Sequence, residues 1–341
     1  MAGGPKVAIL GAGSVGCFIG GAWAVAGLPV ILIGRQKISH DVDAHGLTVS
    51  DYSGWQAHLP PGDVDYRCGP EALDEAEIIA LTVKSGDTAE AAAQIAAHAR
   101  PGALVISFQN GVSNVDKLEQ GLGGRFEIAR GMVPYNVAYL GEGRFHKGVA
   151  GDLYAARRGS TRDLAEAIGE GPAALKLSEQ MLGLAWGKLL INLNNAVNAL
   201  SGRTLQDELK QRDYRRVFAA AMHEGLKLLK QAEIEPVTAG PVPLSRLVRI
   251  IGSPDWLFNR FFLKRWKIDA KARSSMADDL AAGRRTEIDY INGELVRLAA
   301  RLQRGAPVNS RIVELIREAE QGAKPLSPAH LRRAVLGPDR A

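Results

Sequence analysis

Lys188 stands in the run Trp186-Gly187-Lys188-Leu189-Leu190-Ile191-Asn192-Leu193-Asn194-Asn195, a helical stretch that is otherwise apolar around it. Asn192 and Asn195 follow at i+4 and i+7 on the same face, with Asn194 and Asn198 close by. Amides need partners when buried, so such a face reads as the lining of a site; the alternative is a polar seam between helices. Reduction of a ketone needs a hydride donor on one face of the carbonyl and a proton for the developing alkoxide. A lysine on this face is suited to give the proton. The second chemical stretch runs from Ser274-Ser275-Met276 to Thr286-Glu287-Ile288-Asp289. Thr286 reads as a helix N-cap, with Glu287 and Asp289 in a first turn where the helix dipole favours acids. The chemical reading makes Glu287 the carboxylate facing Lys188, holding its charge and a substrate hydroxyl.

The hydride donor is expected at the other end of the chain. Residues 6–10 form a short apolar run that breaks into Gly11-x-Gly13-x-x-Gly16 and continues as a helix closed by Gly27. In such a turn Gly11 allows the reversal, Gly13 lets backbone approach a pyrophosphate, and Gly16 lets the helix lie close on the strand. The amides of Ser14, Val15 and Gly16 then face the phosphates at a helix N-terminus. After the next strand, residues 29–33, the sequence reads Gly34-Arg35-Gln36-Lys37, with no acid to hold a ribose 2′-hydroxyl. A guanidinium there pairs with a 2′-phosphate, so NADPH is expected over NADH, with Arg35 as the contact. Strand 77–83 is followed directly by Lys84, and strand 103–108 by Gln109-Asn110-Gly111. Both follow the carboxyl ends of strands, where open parallel sheets bind ligands. Lys84 is expected to touch the cofactor. Asn110 is expected near nicotinamide and substrate, although Asn-Gly is also a common turn pair.

Length and composition set the frame for these elements. At 341 residues two domains are expected. A composition of 46% apolar and 23% charged residues is that of an ordinary soluble globular protein. The net charge of +5 is spread along the chain, which suits a small anionic substrate and gives little support to nucleic acid as a partner. Cys17 and Cys68 make neither a disulfide framework nor a metal site, and the histidines show no paired metal spacing, so no metal is expected. No apolar run reaches the roughly 20 residues of a membrane span. The first strand begins at once, leaving no room for a signal peptide, and a reducing, cytoplasmic setting is expected.

Short strands are expected near residues 46–50 and 56–59, then at 127–133, in a hairpin over 135–148, and last at 152–156. From about residue 161 the pattern is helical almost throughout. Helices are expected over 214–232, 244–251, 269–283, 288–304 and 310–319, with a loosely tied tail from Gly322. The architecture is therefore an α/β Rossmann-type domain over residues 1–175 and an all-α domain over 176–341, with the site in the cleft between them. The aromatic and basic stretch from Trp256 to Trp266 is expected to pack against a second domain or subunit, compatible with a homodimer, in preference to a bilayer surface.

Over nearly its whole length the chain resembles the ketopantoate reductases (2-dehydropantoate 2-reductases). The resemblance rests on the glycine pattern, Lys84, Gln109-Asn110-Gly111, Trp186-x-Lys188-Leu189-x-x-Asn192, and Ser274-Ser275-Met276-x-x-Asp279 running to Thr286-Glu287-Ile288-Asp289-x-Ile291-Asn292-Gly293. The last two blocks are the specific ones. The resemblance implies a C-terminal domain like that of the 6-phosphogluconate dehydrogenase group and NADPH-dependent reduction of 2-dehydropantoate to pantoate. Position by position, it implies that Lys188 is the proton donor and Glu287 binds the substrate hydroxyl. Asn110 would help place the lysine and the nicotinamide, and Ser275 would hold the substrate carboxylate. Asn192 matches the family's first helix asparagine. The second is expected at 196, where this chain has Ala196, and Asn195 or Asn198 would stand in for it. The alternatives are a related NADPH-dependent reductase of another 2-oxo acid and a non-catalytic NADP-binding protein.

Overall fold

The computed structural model describes residues 4–238, 240, 242–266 and 268–338; the side chains of Lys264 and Trp266 are outside the described set. The chain forms two compact units, Met1–Met181 and Leu182–Ala341.

The first unit contains strands β1 (Val7–Leu10), β2 (Val30–Ile33), β3 (Leu47–Asp51), β4 (Gln56–Leu59), β5 (Asp65–Arg67), β6 (Ile78–Leu81), β7 (Leu104–Ser107), β8 (Glu127–Met132), β9 (Val137–Tyr139), β10 (Arg144–Lys147), β11 (Leu153–Ala156) and β12 (Leu175–Ser178). Helices α1 (Ser14–Val25), α2 (Gln36–His45), α3 (Thr88–His98), α4 (Asn114–Leu122) and α5 (Gly159–Ile168) connect them. The large sheet has the order β12-β11-β8-β7-β6-β1-β2-β5 and is parallel from β8 to β5. Burial on both faces explains why its central strands read as unbroken apolar runs. In β1, Val7 and Ile9 enter one core while Ala8 and Leu10 enter the other.

β12 was not expected. It pairs with β11 in parallel, so the sheet runs past residue 175 and the unit closes at Met181. Its sequence, Leu175-Lys176-Leu177-Ser178, is a four-residue edge strand too short to stand out against helical neighbours. The stretches around residues 50 and 140 also do more than form separate hairpins. β3 and β10 pair in parallel, making a second sheet of order β4-β3-β10-β9. Helix α1 packs on both sheets, and adjacent glycines permit this. A Cβ on Gly20 would run into Leu32 and Ile9 of the large sheet, and one on Gly21 would stand 2.8 Å from side-chain carbons of Leu47 and Val49.

The second unit is helical: α6 (Met181–Asn192), α7 (Asn194–Ser201), α8 (Leu205–Leu209), α9 (Arg212–Gln231), α10 (Leu244–Ile251), α11 (Asp255–Leu257), α12 (Ser275–Ala281), α13 (Asn292–Arg301), α14 (Pro307–Glu320) and α15 (Pro328–Leu336). Long α9 is its spine, and polar side chains fasten other helices to it. Glu224 accepts the amides of Val308 and Asn309 at 3.0 and 2.9 Å, so a carboxylate from α9 caps the positive end of α14. Arg215, fully buried, gives hydrogen bonds to the carbonyls of Leu209, Ile251 and Ser253 and to Asp255, with Phe258 under its guanidinium.

Four expectations change here. The helix across residue 193 is stepped, ending at Asn192 and resuming at Asn194. Leu193 keeps helical angles (φ −57°, ψ −24°), so the offset is one residue. The helix expected over 269–283 is shortened to α12 because Ser274 caps it, accepting the Ala277 amide at 3.1 Å. Thr286 is not an α-helix N-cap: its hydroxyl accepts the Ile288 amide at 3.3 Å and donates to Glu320, and only a short turn, Ile288–Tyr290, separates it from α13. The tail is held down by α15, whose Leu331 is buried, and by Tyr214, which donates to the Leu326 carbonyl at 2.6 Å. In the aromatic stretch, Phe258 belongs to the unit's own core while Trp256 and Phe261 are exposed. Among the described residues no helix is long and apolar enough to cross a membrane.

Candidate active site

In the first unit the glycine turn leaves β1 and enters α1, and its three glycines do three different things. Gly11 has φ +98°, and a Cβ there would stand 2.5 Å from the Val83 amide nitrogen. Gly16 lies against the sheet, with the same hypothetical atom 2.6 Å from Thr82 Oγ1 and 2.9 Å from Ile9 Cγ2. Gly13 meets only the Gly11 carbonyl, at 3.9 Å. Space is therefore open at Gly13 and closed at its neighbours. Gly13 is also the residue before α1, and no side chain caps the helix there. The first-turn amides of Ser14, Val15 and Gly16 are thus suited to a diphosphate, and the turn fits a dinucleotide.

Arg35 is exposed at the mouth of α2, immediately beyond β2. Lys84 is exposed past the end of β6. Asn110 is half-buried past β7, in a turn where Gly111 has φ +84°. Its turn role is real as well as its position. The Asn110 carbonyl accepts from Ser85 Oγ at 2.9 Å and from Asn114 Nδ2 at 2.5 Å. Behind these, Ser107, Gln109 and Thr88 form a buried chain, with Gln109 donating to Thr88 at 2.8 Å and accepting from Ser107 at 2.9 Å.

In the second unit Lys188 and Asn192 lie on α6, both half-buried. Burial drives the Lys188 ammonium down to about 8 from the ordinary lysine value, while the Glu287 carboxylate acts in the opposite direction. Lys188 and Glu287 are therefore electrostatic partners. Asn195 is half-buried and its carbonyl accepts from Ser274 Oγ at 3.0 Å. Ser275 is exposed at the first turn of α12. Asn198 differs from the rest. It is fully buried, its Oδ1 accepting the Ser274 amide at 2.9 Å and its Nδ2 donating to the Arg203 carbonyl at 3.2 Å. With both ends of its amide engaged by the protein, it is a strut for the turn before α12 and not a free substrate contact. Ala196, where the resembling family has its second asparagine, is fully buried.

Several residues around these groups carried no sequence expectation. Thr82 donates to the Gly11 carbonyl at 2.9 Å, and Tyr66 donates to the Ala12 carbonyl at 3.1 Å and to the Arg35 carbonyl at 3.4 Å. Tyr66 thus ties the glycine turn to the Arg35 loop. It reaches them because β5 pairs with β2, a relation that no local pattern announces. Ser274 was readable in principle, as a serine directly before a helical run. Among the described residues no cluster of histidine, cysteine and acidic side chains could hold a metal ion.

Two family models match the chain: "Ketopantoate reductase PanE/ApbA" over residues 7–158 and "Ketopantoate reductase PanE/ApbA C terminal" over residues 180–320. A 2-dehydropantoate 2-reductase of Pyrococcus abyssi is 27% identical over 332 residues, covering 94% of this chain and all of that protein. One from Archaeoglobus fulgidus is 27% identical, covering 93% of this chain and 98% of its own length. Among solved structures, a PanE/ApbA family ketopantoate reductase from Ralstonia eutropha JMP134 has a TM-score of 0.79 at 29% identity, covering 93% of this chain and 98% of that one. A D-mandelate dehydrogenase solved with NADH and anilino(oxo)acetate shares the fold, with a TM-score of 0.77 at 20% identity over 93% of this chain and 98% of that one. The matching family models and relatives define an oxidoreductase that acts on CH–OH groups. The chain belongs to the ketopantoate reductase family.

Proposed function

We propose that this protein reduces 2-dehydropantoate to pantoate with NADPH. The observation that carries the reading is a half-buried lysine on α6 whose proton affinity is lowered by burial and sustained by the Glu287 carboxylate. When bound, the nicotinamide supplies the hydride that the substrate's C2 carbon receives. Lys188 gives its proton to the C2 oxygen as the alkoxide forms, which leaves a neutral amine to be reprotonated from solvent. With a pKa near 8 it is charged at neutral pH yet releases a proton readily. Glu287 keeps the ammonium charged before transfer and accepts a hydrogen bond from the substrate hydroxyl. Asn192 and Asn195 orient the carbonyl, and the exposed Ser275 hydroxyl at the start of α12 takes the carboxylate. Lys84 and Asn110 contact the cofactor from the strand ends, and Asn110 also helps place the reacting groups.

The preference for NADPH rests on Arg35, a guanidinium at the end of β2 with no acid beside it to repel a 2′-phosphate. Arg35→Ala is expected to raise KM for NADPH about 10- to 100-fold, the equivalent of a charge-assisted hydrogen bond, with KM for NADH little changed. Equal loss for both cofactors would place the arginine elsewhere.

One observation favours a second substrate. Ala196 offers no polar group at the family's second asparagine position, so the protein could serve a related 2-oxo acid instead. A panel of 2-oxo acids followed by NADPH consumption decides, and kcat/KM for 2-dehydropantoate below that for another member would overturn the first reading. The free thiols Cys17 and Cys68 suit a reducing, cytoplasmic setting, and exposed Trp256 and Phe261 suit a homodimer contact.

A further inference from the structure

Beneath the turn that starts α12 lies a carboxyl group that the mechanism does not use. Glu208 on α8 is fully buried, and its Oε2 accepts from Asn194 Nδ2 at 3.0 Å and from Asn198 Nδ2 at 3.5 Å. Asn198 in turn holds the Ser274 amide through Oδ1, and Ser274 both caps α12 and donates to the Asn195 carbonyl. Within this cluster two oxygens are left over: among the described residues, Glu208 Oε1 and Asn194 Oδ1 are both buried acceptors without a donor. Buried polar atoms are rarely left so. One proton on Oε1 satisfies both, since a carboxylic acid and a primary amide can close a ring of two hydrogen bonds, N–H to Oε2 and O–H to Oδ1.

We propose that Glu208 is a positioning residue that carries a proton in the folded enzyme and, through Asn194 and Asn198, fixes the Ser274 turn that presents Ser275 to the substrate carboxylate. The surroundings agree. Helix α7, packed against α8, contributes no titratable group. From α9 come Tyr214 and Arg215, and the Arg215 guanidinium is already engaged by three carbonyls and Asp255. On α8 itself, Asp207 pairs with Lys210 at the surface, 3.0 Å apart. Burial outweighs the two asparagines and Arg215 and pushes the Glu208 carboxyl up to about 8. The acid form therefore prevails at neutral pH, and the ring opens as pH rises through that value.

The inference about Ser275 rests on the function proposed above, so the test has a part that needs no substrate. In the full-length enzyme, infrared spectra at neutral pH should show a protonated-carboxyl band that is absent in Glu208→Gln. Amide exchange over residues 274–277 should be unchanged in Glu208→Gln and faster in Glu208→Ala. Kinetics with 2-dehydropantoate from about pH 6 to about pH 10 complete it, a range that brackets the Glu208 value. Wild-type KM should climb above about pH 8, and Glu208→Gln should keep a low KM without the climb. Glu208→Ala should raise KM about tenfold, as for one lost buried hydrogen bond, with kcat within about twofold. No band lost in Glu208→Gln, or a Gln variant as impaired as the Ala variant, overturns the proposal. An intact infrared and exchange result with no turnover of 2-dehydropantoate would overturn the substrate reading and leave the proton on Glu208 established.

Discussion

In the first unit the groups suited to a ligand are mainly main-chain amides, placed by where side chains are missing. In the second they are side chains, held by other side chains. Gly11, Gly13 and Gly16 achieve their turn by conformation and clearance, and Thr82 and Tyr66 brace it through its carbonyls. Asn195 and Ser275 adjoin instead a buried polar lattice of Asn194, Asn198, Glu208 and Ser274, while Lys188 is tuned by burial and the Glu287 carboxylate. Backbone sites are robust to the identity of neighbouring side chains but have no tolerance for an added Cβ. Side-chain sites tolerate small shape changes but fail when one hydrogen-bonding group is lost, because its partner is then buried unpaired.

The largest break in this comparison is expected at Lys188. Replacing it with alanine should lower kcat by about 10²–10⁴, the usual range for a positioned general acid. NADPH binding, followed by fluorescence titration, should be unaffected, since the first unit carries the nucleotide turn. Wild-type turnover in Lys188→Ala would remove the proton donor from the mechanism.

A smaller effect separates two glycines of one motif. Gly13→Ala adds a methyl group where the nearest atom is 3.9 Å away, so Tm should hold while KM for NADPH rises about 10- to 100-fold from blocked phosphate approach. Gly16→Ala forces a methyl group to 2.6 Å from Thr82 Oγ1, so stability should fall by about 1–3 kcal/mol, the range for overpacking, as read by denaturant unfolding. Equal loss of Tm in both variants would show that the turn does not divide its labour in this way.

The same contrast explains what could be read from the chain. The glycine turn and the central strands were legible because local spacing dictates them: a residue with no Cβ, a run apolar on both faces. Lys188 stood out as the one cation in an apolar helical run, whereas Glu287 read equally well as a first-turn acid, and only the folded chain makes it the electrostatic partner of Lys188. The second sheet was not legible, because β3 and β10 meet only after 92 residues of intervening chain, from Leu47–Asp51 to Arg144–Lys147. Nor were the roles within the asparagine cluster. Asn195 and Asn198 look alike in sequence, and only the Ser274 turn, which approaches from far along the chain, decides that Asn198 is consumed by structure. Likewise Ser274 and Ser275 are adjacent and identical, yet one caps α12 from inside and the other faces solvent.

The finest test concerns the electrostatics of the second unit alone. In the proposed reaction Lys188 can give a proton only while charged, so kcat for reduction should fall as pH rises through about 8. Burial sets that limb low by disfavouring the ammonium, and Glu287 pulls it back up by favouring it. Glu287→Gln keeps the shape of the side chain and removes the charge, so the limb should move to lower pH, by on the order of one unit for an opposite charge lost nearby. The direction is diagnostic. A limb that moves upward would mean that Glu287 acts on Lys188 by some route other than its charge. A limb that stays in place would mean that another group titrates there, and Glu208→Gln separates that case, because it should abolish the alkaline rise in KM while leaving the kcat limb where it was.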